Sequence, residues 1–148
     1  MSGYLDNPQA TAQAIQGGWL HTGDIARIDD TGLITIVDRK KDMIVSGGYN
    51  IYPREVEDAL FEHPAVLQAA VIGVPHEKWG EEVRALVVLR GGHEASEQDL
   101  IAFVKSRKGS LVAPKSVAFV HTIPLTNLGK PDKRAMRAQY WGARTRNV

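Results

Sequence analysis

Apolar positions along the chain recur with two different periods, and the change between them marks out the elements. Two short apolar runs, Ile25 to Ile28 and Leu33 to Val37, flank Asp29-Asp30-Thr31-Gly32. The glycine suits a turn that needs positive φ, so this stretch predicts a β-hairpin. Val66 to Val74 and Val83 to Leu89 are dense in β-branched residues and predict two buried strands. Between hairpin and strands the period becomes helical at Val56, Ala59, Leu60 and His63, with Pro53 where a first helical turn accepts proline and Pro64 ending the run. Ser96, with Asp99 three residues on, forms a capping-box pattern that opens a second helix, in which Leu100, Ile101 and Val104 share a face. Ser116 to Val120 predicts a third strand, and the loop Pro124 to Pro131 leads to a last helix from about Asp132 to Tyr140. Strand and helix alternate from residue 43 onward, which predicts a small α/β (α+β) domain built on a sheet of three or more strands with packed helices.

Two segments lack such periodicity. Met1 to about Gly18 is polar and small, with Asn7-Pro8 and paired glycines, and reads as a partly extended segment that cannot support itself. Asp38-Arg39-Lys40-Lys41-Asp42 places five charged residues in a row. Such a run is too polar for a core and predicts a linker or hinge. The expected division is therefore 1–40 and 41–148. Ser46-Gly47-Gly48-Tyr49-Asn50, just after the charged run, reads as a flexible loop.

Composition narrows the function classes. Of 148 residues, 43% are hydrophobic and 24% charged, with a formal net charge of +1. That balance is globular and gives no field that would draw nucleic acid or an anionic membrane. There is no cysteine, which excludes disulfides, thiolate metal sites and a cysteine nucleophile. His21, His63, His76, His93 and His121 are scattered without ligand spacing, so no protein metal site is expected. No basic n-region with an apolar core opens the chain and no apolar run is long enough for a bilayer, so the expectation is a cytoplasmic protein without a membrane span.

Four segments carry candidate chemistry. In Gly18-Trp19-Leu20-His21-Thr22-Gly23-Asp24 a carboxylate beside a glycine turn can accept two hydrogen bonds from a vicinal diol such as a ribose, although Thr-Gly-Asp alone is usually only a turn. Asp38-Arg39-Lys40-Lys41 alone would be a solvated linker. In Ser46-Gly47-Gly48-Tyr49-Asn50 paired glycines allow close backbone approach to a ligand, or serve as a plain connector. In Pro124-Leu125-Thr126-Asn127-Leu128-Gly129-Lys130 a loop lysine beside glycine can bring a compact positive charge onto a phosphate, a use that most loop lysines do not have.

Together, in this order, the four segments resemble the adenylate-forming superfamily of acyl-CoA synthetases, peptide-synthetase adenylation domains and luciferases, from Gly3-Tyr4 to about Tyr140. Val37 to Ile44 and Ser46-Gly47-Gly48 lean toward carboxylate–CoA ligases, and Val45 stands where a luciferase would carry a lysine. The resemblance implies the small C-terminal domain preceded by the last strands of a large N-terminal one, with ATP, CoA and a carboxylic acid as substrates and Mg2+ arriving with ATP. It implies Asp24 on the ATP ribose, Arg39 supporting the same nucleotide, Lys41 as the hinge, Gly47 and Gly48 lining the pantetheine tunnel, and Lys130 as the adenylation lysine. Trp79 would meet the CoA adenine and Lys115 the CoA phosphates, with Ala113 where some relatives carry a further cation. The phosphate loop and carboxylate pocket of such enzymes are absent from these residues, so acyl specificity is not legible and the chain alone is expected to be inactive. A carrier-loading adenylation domain and a non-catalytic CoA-binding remnant are the alternatives. The hairpin, removed from its parent sheet, is expected to be disordered, to pack abnormally, or to pair with a second copy as a homodimer.

Overall fold

The computed structural model describes residues 1–142 and 144. The chain forms two compact units, Met1–Lys41 and a second that starts at Asp42.

The first unit opens with a helix where an extended segment was expected, α1 (Pro8–Ala14). Asn7 Oδ1 accepts from the Ala10 N–H at 2.9 Å and Pro8 occupies the first turn. Asn-Pro is thus a helix start, hidden because the Ala/Thr/Gln stretch behind it has no apolar stripe. A short ribbon follows, β1 (Ile15–Gln16) and β2 (Trp19–Leu20). Then β3 (Asp24–Ile28) and β4 (Ile34–Arg39) make the expected antiparallel hairpin. Asp29 Oδ1 closes its turn by accepting from the Thr31 hydroxyl (2.6 Å), the Thr31 N–H (2.9 Å) and the Leu33 N–H (3.0 Å). These bonds, the Thr31 hydroxyl first, hold its carboxyl below the usual carboxylate range. No residue from Met1 to Lys41 is buried, and Ile28, Leu33, Ile34 and Ile36 are all exposed. The hairpin has strand chemistry without a core of its own.

The charged run is more ordered than a linker. Asp38 and Arg39 finish β4, and Lys40–Asp42 form a single 3₁₀ turn. Nor is the run solvated throughout: Asp42 Oδ1 accepts from Arg137 at 2.9 Å, and each side chain is only 14% exposed. The supposed flexible loop after it is a second hairpin, β5 (Ile44–Ser46) and β6 (Tyr49–Ile51). Gly47 and Gly48 form its two-residue turn with φ of +58° and +84°, the double left-handed conformation that matches strand twist and that glycine adopts without strain.

In the second unit, α2 (Pro53–Phe61), β7 (Val66–His76), β8 (Gly80–Leu89), α3 (Glu97–Lys108), β9 (Ser116–Phe119) and α4 (Lys133–Trp141) follow in the expected order. Ser96 and Asp99 make the reciprocal capping box at α3. The Ser96 hydroxyl, donating to Asp99 at 2.6 Å, is the main reason the Asp99 carboxyl sits below its ordinary range. Strand β8 is the axis of a five-stranded sheet. It pairs antiparallel with β7 along one edge, while β5 meets it at Gly80 and β9 runs parallel to it from Arg84 to Val87.

Alternation along β7 and β8 divides the core. Val71, Val83, Ala85 and Val87 join Val56, Leu60, Leu100 and Val104 of α2 and α3, whereas Ile72, Val74, Leu86 and Val88 join Ile123 and Met136 of the α4 side. With both faces covered, both side-chain sets must be apolar, which is why these strands read as continuous rather than alternating runs. Two backbone groups on the free edge of β7 also find partners: the Val71 N–H donates to Glu57 Oε1 at 2.8 Å, and the Gly73 carbonyl accepts from Trp141 Nε1 at 3.0 Å.

Candidate functional site

The candidate residues fall in both units. In the first, Asp24 opens β3 and Arg39 closes β4, and hairpin register sets them opposite each other. Arg39 Nε lies 2.9 Å from Asp24 Oδ1, with side-chain exposures of 55% and 23%. The Thr22 hydroxyl accepts from the Asp24 N–H, and the Lys40 N–H donates to the Gly23 carbonyl. A half-exposed guanidinium thus fixes one carboxylate oxygen, and the carboxylate keeps acceptor capacity for hydroxyls of a diol. Two residues proposed from separate motifs, fifteen positions apart, become one ion pair. Lys41 lies in the 3₁₀ turn that follows.

In the second unit Gly47 and Trp79 come together. The Gly47 N–H donates to the Trp79 carbonyl at 2.9 Å, and a Cβ on Gly47 would stand 2.7 Å from Cε3 of the Trp79 ring. The absence of a side chain at 47 is what lets the indole lie against the turn. His76, a residue with no assigned role in the sequence reading, organises that indole's loop: its Nδ1 accepts from the N–H groups of Lys78 and Trp79, both at 3.2 Å. The Lys78 ammonium sits 4.7 Å from the centroid of the Trp79 ring, a residue about half exposed. A half-exposed, preset aromatic face beside a glycine turn can stack a flat heteroaromatic ring.

Gly47→Ala is expected to destabilise the second unit by more than Gly48→Ala. Both positions carry the left-handed strain of about 1–2 kcal/mol, but a Cβ at Gly48 meets open space while one at Gly47 must displace Trp79. Urea unfolding followed by indole emission separates the two variants; equal midpoints and unshifted emission would contradict the packing argument.

The two candidate lysines are held differently. Lys115 Nζ donates to the Ser110 carbonyl at 2.8 Å while its N–H binds the Val83 carbonyl, which ties the residue to the start of β9. Lys130 sits on a tight loop. The Thr126 N–H donates to the Lys130 carbonyl at 2.7 Å, the Gly129 N–H to the Thr126 carbonyl, and the Lys130 N–H to the Thr126 hydroxyl. Gly129 takes φ +73° at the turn, and Leu125 and Pro131 form a bridge at its base. The backbone of Lys130 is therefore fixed while its side chain is exposed.

Glu57, Lys133 and Arg137 are among the charged residues that the sequence analysis gave no role. Glu57 was masked as one of many polar positions on α2, yet it is buried, and Lys133 pairs with it at 2.8 Å. Arg137 was masked in the same way on α4. An inward i, i+4 row of Lys133 and Arg137 beside the apolar Met136 was the available signal. Among the described residues no cluster of three His, Asp or Glu could hold a metal ion, and no helix is long and apolar enough to cross a membrane.

Comparison with known proteins gives this geometry its family. The family model described as the AMP-binding enzyme C-terminal domain matches residues 55–130. The medium/long-chain-fatty-acid–CoA ligase FadD8 of Mycobacterium tuberculosis is 54% identical over 153 residues, covering 99% of this chain and 27% of that protein. The amide bond synthetase McbA from Marinactinospora thermotolerans superposes with a TM-score of 0.85 at 45% identity, over 95% of this chain and 28% of the other. ATP-bound MatB from Rhodopseudomonas palustris does so with a TM-score of 0.85 at 35% identity, over 93% and 28%. The chain spans about a quarter of the length of the curated relatives it matches. With that match over half of its length, the chain belongs to the AMP-binding enzyme C-terminal domain family.

Proposed function

We propose that this chain is the mobile C-terminal part of an ATP-dependent acyl-CoA ligase, which joins a carboxylic acid to the AMP portion of ATP with release of pyrophosphate and then passes the acyl group to the CoA thiol with release of AMP. The observation that carries the reading is Lys130: an exposed ammonium on a loop whose backbone is fixed by Thr126 and Gly129, at the end of the segment that matches the family. In the first half-reaction the carboxylate attacks the α-phosphate, pyrophosphate leaves, and the lysine offsets charge that accumulates between two anionic partners. Asp24, held by Arg39, accepts from the ribose hydroxyls. In the second half-reaction the domain turns at Lys41, removing Lys130 and bringing Gly47 and Gly48 to the pantetheine arm. Trp79 stacks on the CoA adenine and Lys115 faces its phosphates. Magnesium arrives with ATP, bound by groups outside these residues.

Residues 1–40 are on this reading the last strands of the large domain, and the exposed Ile28, Leu33, Ile34 and Ile36 face is the surface that the rest of that domain covers. A homodimer through the hairpin is the alternative occupant. An amide-forming reaction is a second reading for the acyl acceptor, favoured by the likeness to an amide bond synthetase. Strict CoA dependence of acid consumption decides between the two.

A full-length ligase containing these residues is expected to exchange labelled pyrophosphate into ATP in the presence of its acid, and the 148-residue chain is expected to show no exchange with any acid. Asp24 and Arg39 offer too few contacts to hold ATP in a reactive pose. Measurable exchange by the short chain overturns the reading of it as a part.

A further inference from the structure

Helix α4 faces the second unit with a row of polar anchors spaced four residues apart. Lys133 pairs with Glu57 of α2, Arg137 with Asp42, and Trp141 with the Gly73 carbonyl of β7. Met136 and Tyr140 lie beside them, the first buried among Ile72, Val74 and Leu86 and the second under the Arg84 guanidinium. Met136 is the buried residue of α4 and Tyr140 is partly buried, so the apolar stripe is narrow and the polar ties help to dock the helix. What distinguishes the ties is where they end. Two of them end on regular elements, α2 and β7. The third ends on Asp42, the last residue of the 3₁₀ turn and the first of the second unit.

The other end of α4 leads to the lysine loop. Asp132 caps the helix through the Ala135 N–H at 3.0 Å, and its own N–H donates to the Pro124 carbonyl at 2.8 Å. Through these bonds the Thr126–Lys130 turn is fastened to the helix start. One short rigid helix thus connects Asp42 with Lys130, across residues that lie about ninety positions apart in sequence.

We propose that Arg137 is a positioning residue for the reaction: through its ion pair with Asp42 it fastens the end of the connecting turn to α4, confining rotation to Lys41 and setting where Lys130 arrives. The inference rests on the reading of Lys41 as hinge and Lys130 as adenylation lysine. Its physical basis is that the pair is nearly buried, so neither charge is well solvated if the other is lost, and that the pair joins a turn to a helix rather than two neighbouring elements of the core. With the tie cut, residues 41–43 gain freedom up to the buried Ile44 of β5, the pivot spreads over several bonds, and Lys130 samples positions away from the phosphate. A displacement on the order of 1 Å can cost ~100-fold in rate.

The test uses Arg137→Leu, Arg137→Lys, Asp42→Asn and the charge-exchanged pair Asp42→Arg with Arg137→Asp, read in two ways. In the 148-residue chain, hydrogen exchange is expected to quicken at residues 40–46 in Arg137→Leu and Asp42→Asn while the amides of β7 and β8 keep their protection. In a full-length ligase, single-turnover acyl-adenylate formation is expected to fall roughly 10- to 100-fold, with the KM for ATP within about twofold. Arg137→Lys is expected to restore most of that rate, and the exchanged pair part of it. Faster exchange throughout α4 and the sheet, or an unchanged adenylation rate despite local loosening, overturns the proposal. Lys41→Pro separates the two layers of inference. If that variant keeps full turnover, the hinge reading fails and the proposal fails with it; if it blocks thioester formation while Arg137→Leu is silent, this proposal alone fails.

Discussion

Lys130→Ala, made in a full-length ligase that carries these residues, is expected to slow acyl-adenylate formation by up to about a thousandfold while leaving thioester formation from supplied acyl-adenylate near its parent rate. The size follows from charge: a cation ~4 Å from the developing negative charge is worth up to ~4 kcal/mol at an effective dielectric of ~20, and that is about three powers of ten in rate. The selectivity follows from position. Lys130 is on a loop outside the sheet with its side chain exposed, so its removal leaves no cavity and the fold is expected to melt as the parent does. Lys130→Arg is expected to recover little, because a planar fork does not replace a compact ammonium. Single-turnover assays of the two half-reactions check this. Equal losses in both would assign Lys130 to general binding instead of adenylation.

The largest expected effect on stability is at Lys133. Its ammonium meets Glu57 at 2.8 Å, with side-chain exposures of 14% and 11%, and the same carboxylate oxygen accepts from the Val71 N–H. Lys133→Met leaves Glu57 charged, nearly buried and short of its cation, a change that costs about 3 kcal/mol, at the low end for buried pairs because some solvent still reaches both groups. Glu57→Gln together with Lys133→Met is expected to recover much of that loss, since an amide can be buried beside an apolar neighbour at lower cost than a carboxylate. The ion pair of Lys108 with Glu55 provides the contrast. At 3.7 Å and more than a third exposed on both sides, it is expected to contribute under about 0.5 kcal/mol. Urea unfolding of the three variants measures all of this. A Lys133→Met midpoint equal to that of Lys108→Met would show that the pair near the edge of β7 carries no special weight.

Both expectations depend on features of different legibility. Element identity after residue 43 was present in the sequence because each element states its own chemistry locally: β-branched runs for β7 and β8, Pro53 and the period of α2, the Ser96–Asp99 box of α3. The turn of the first hairpin was equally local, since Asp29 and Gly32 are bonded within five residues. Candidate site residues were legible as motif members, with Lys130 marked by its neighbours Thr126 and Gly129. Helix α1 and the Gly47-Gly48 hairpin were misread for one reason. Asn-Pro and Gly-Gly are signals of backbone geometry, but with no apolar period beside them they read as an extended segment and a flexible loop.

What the sequence by itself determined was therefore the local alphabet: which stretches are strand or helix, where the turns fall, which cations and carboxylates are available. Tertiary structure alone decided which residues meet. Asp42 with Arg137, Glu57 with Lys133, Asp24 with Arg39 and Gly47 with Trp79 are separated by 15 to 95 positions, and nothing in a charge's own neighbourhood says whether it faces water or a partner. A surface glutamate and a buried one carry the same local signature, because desolvation and pairing are properties of the assembled sheet and helices.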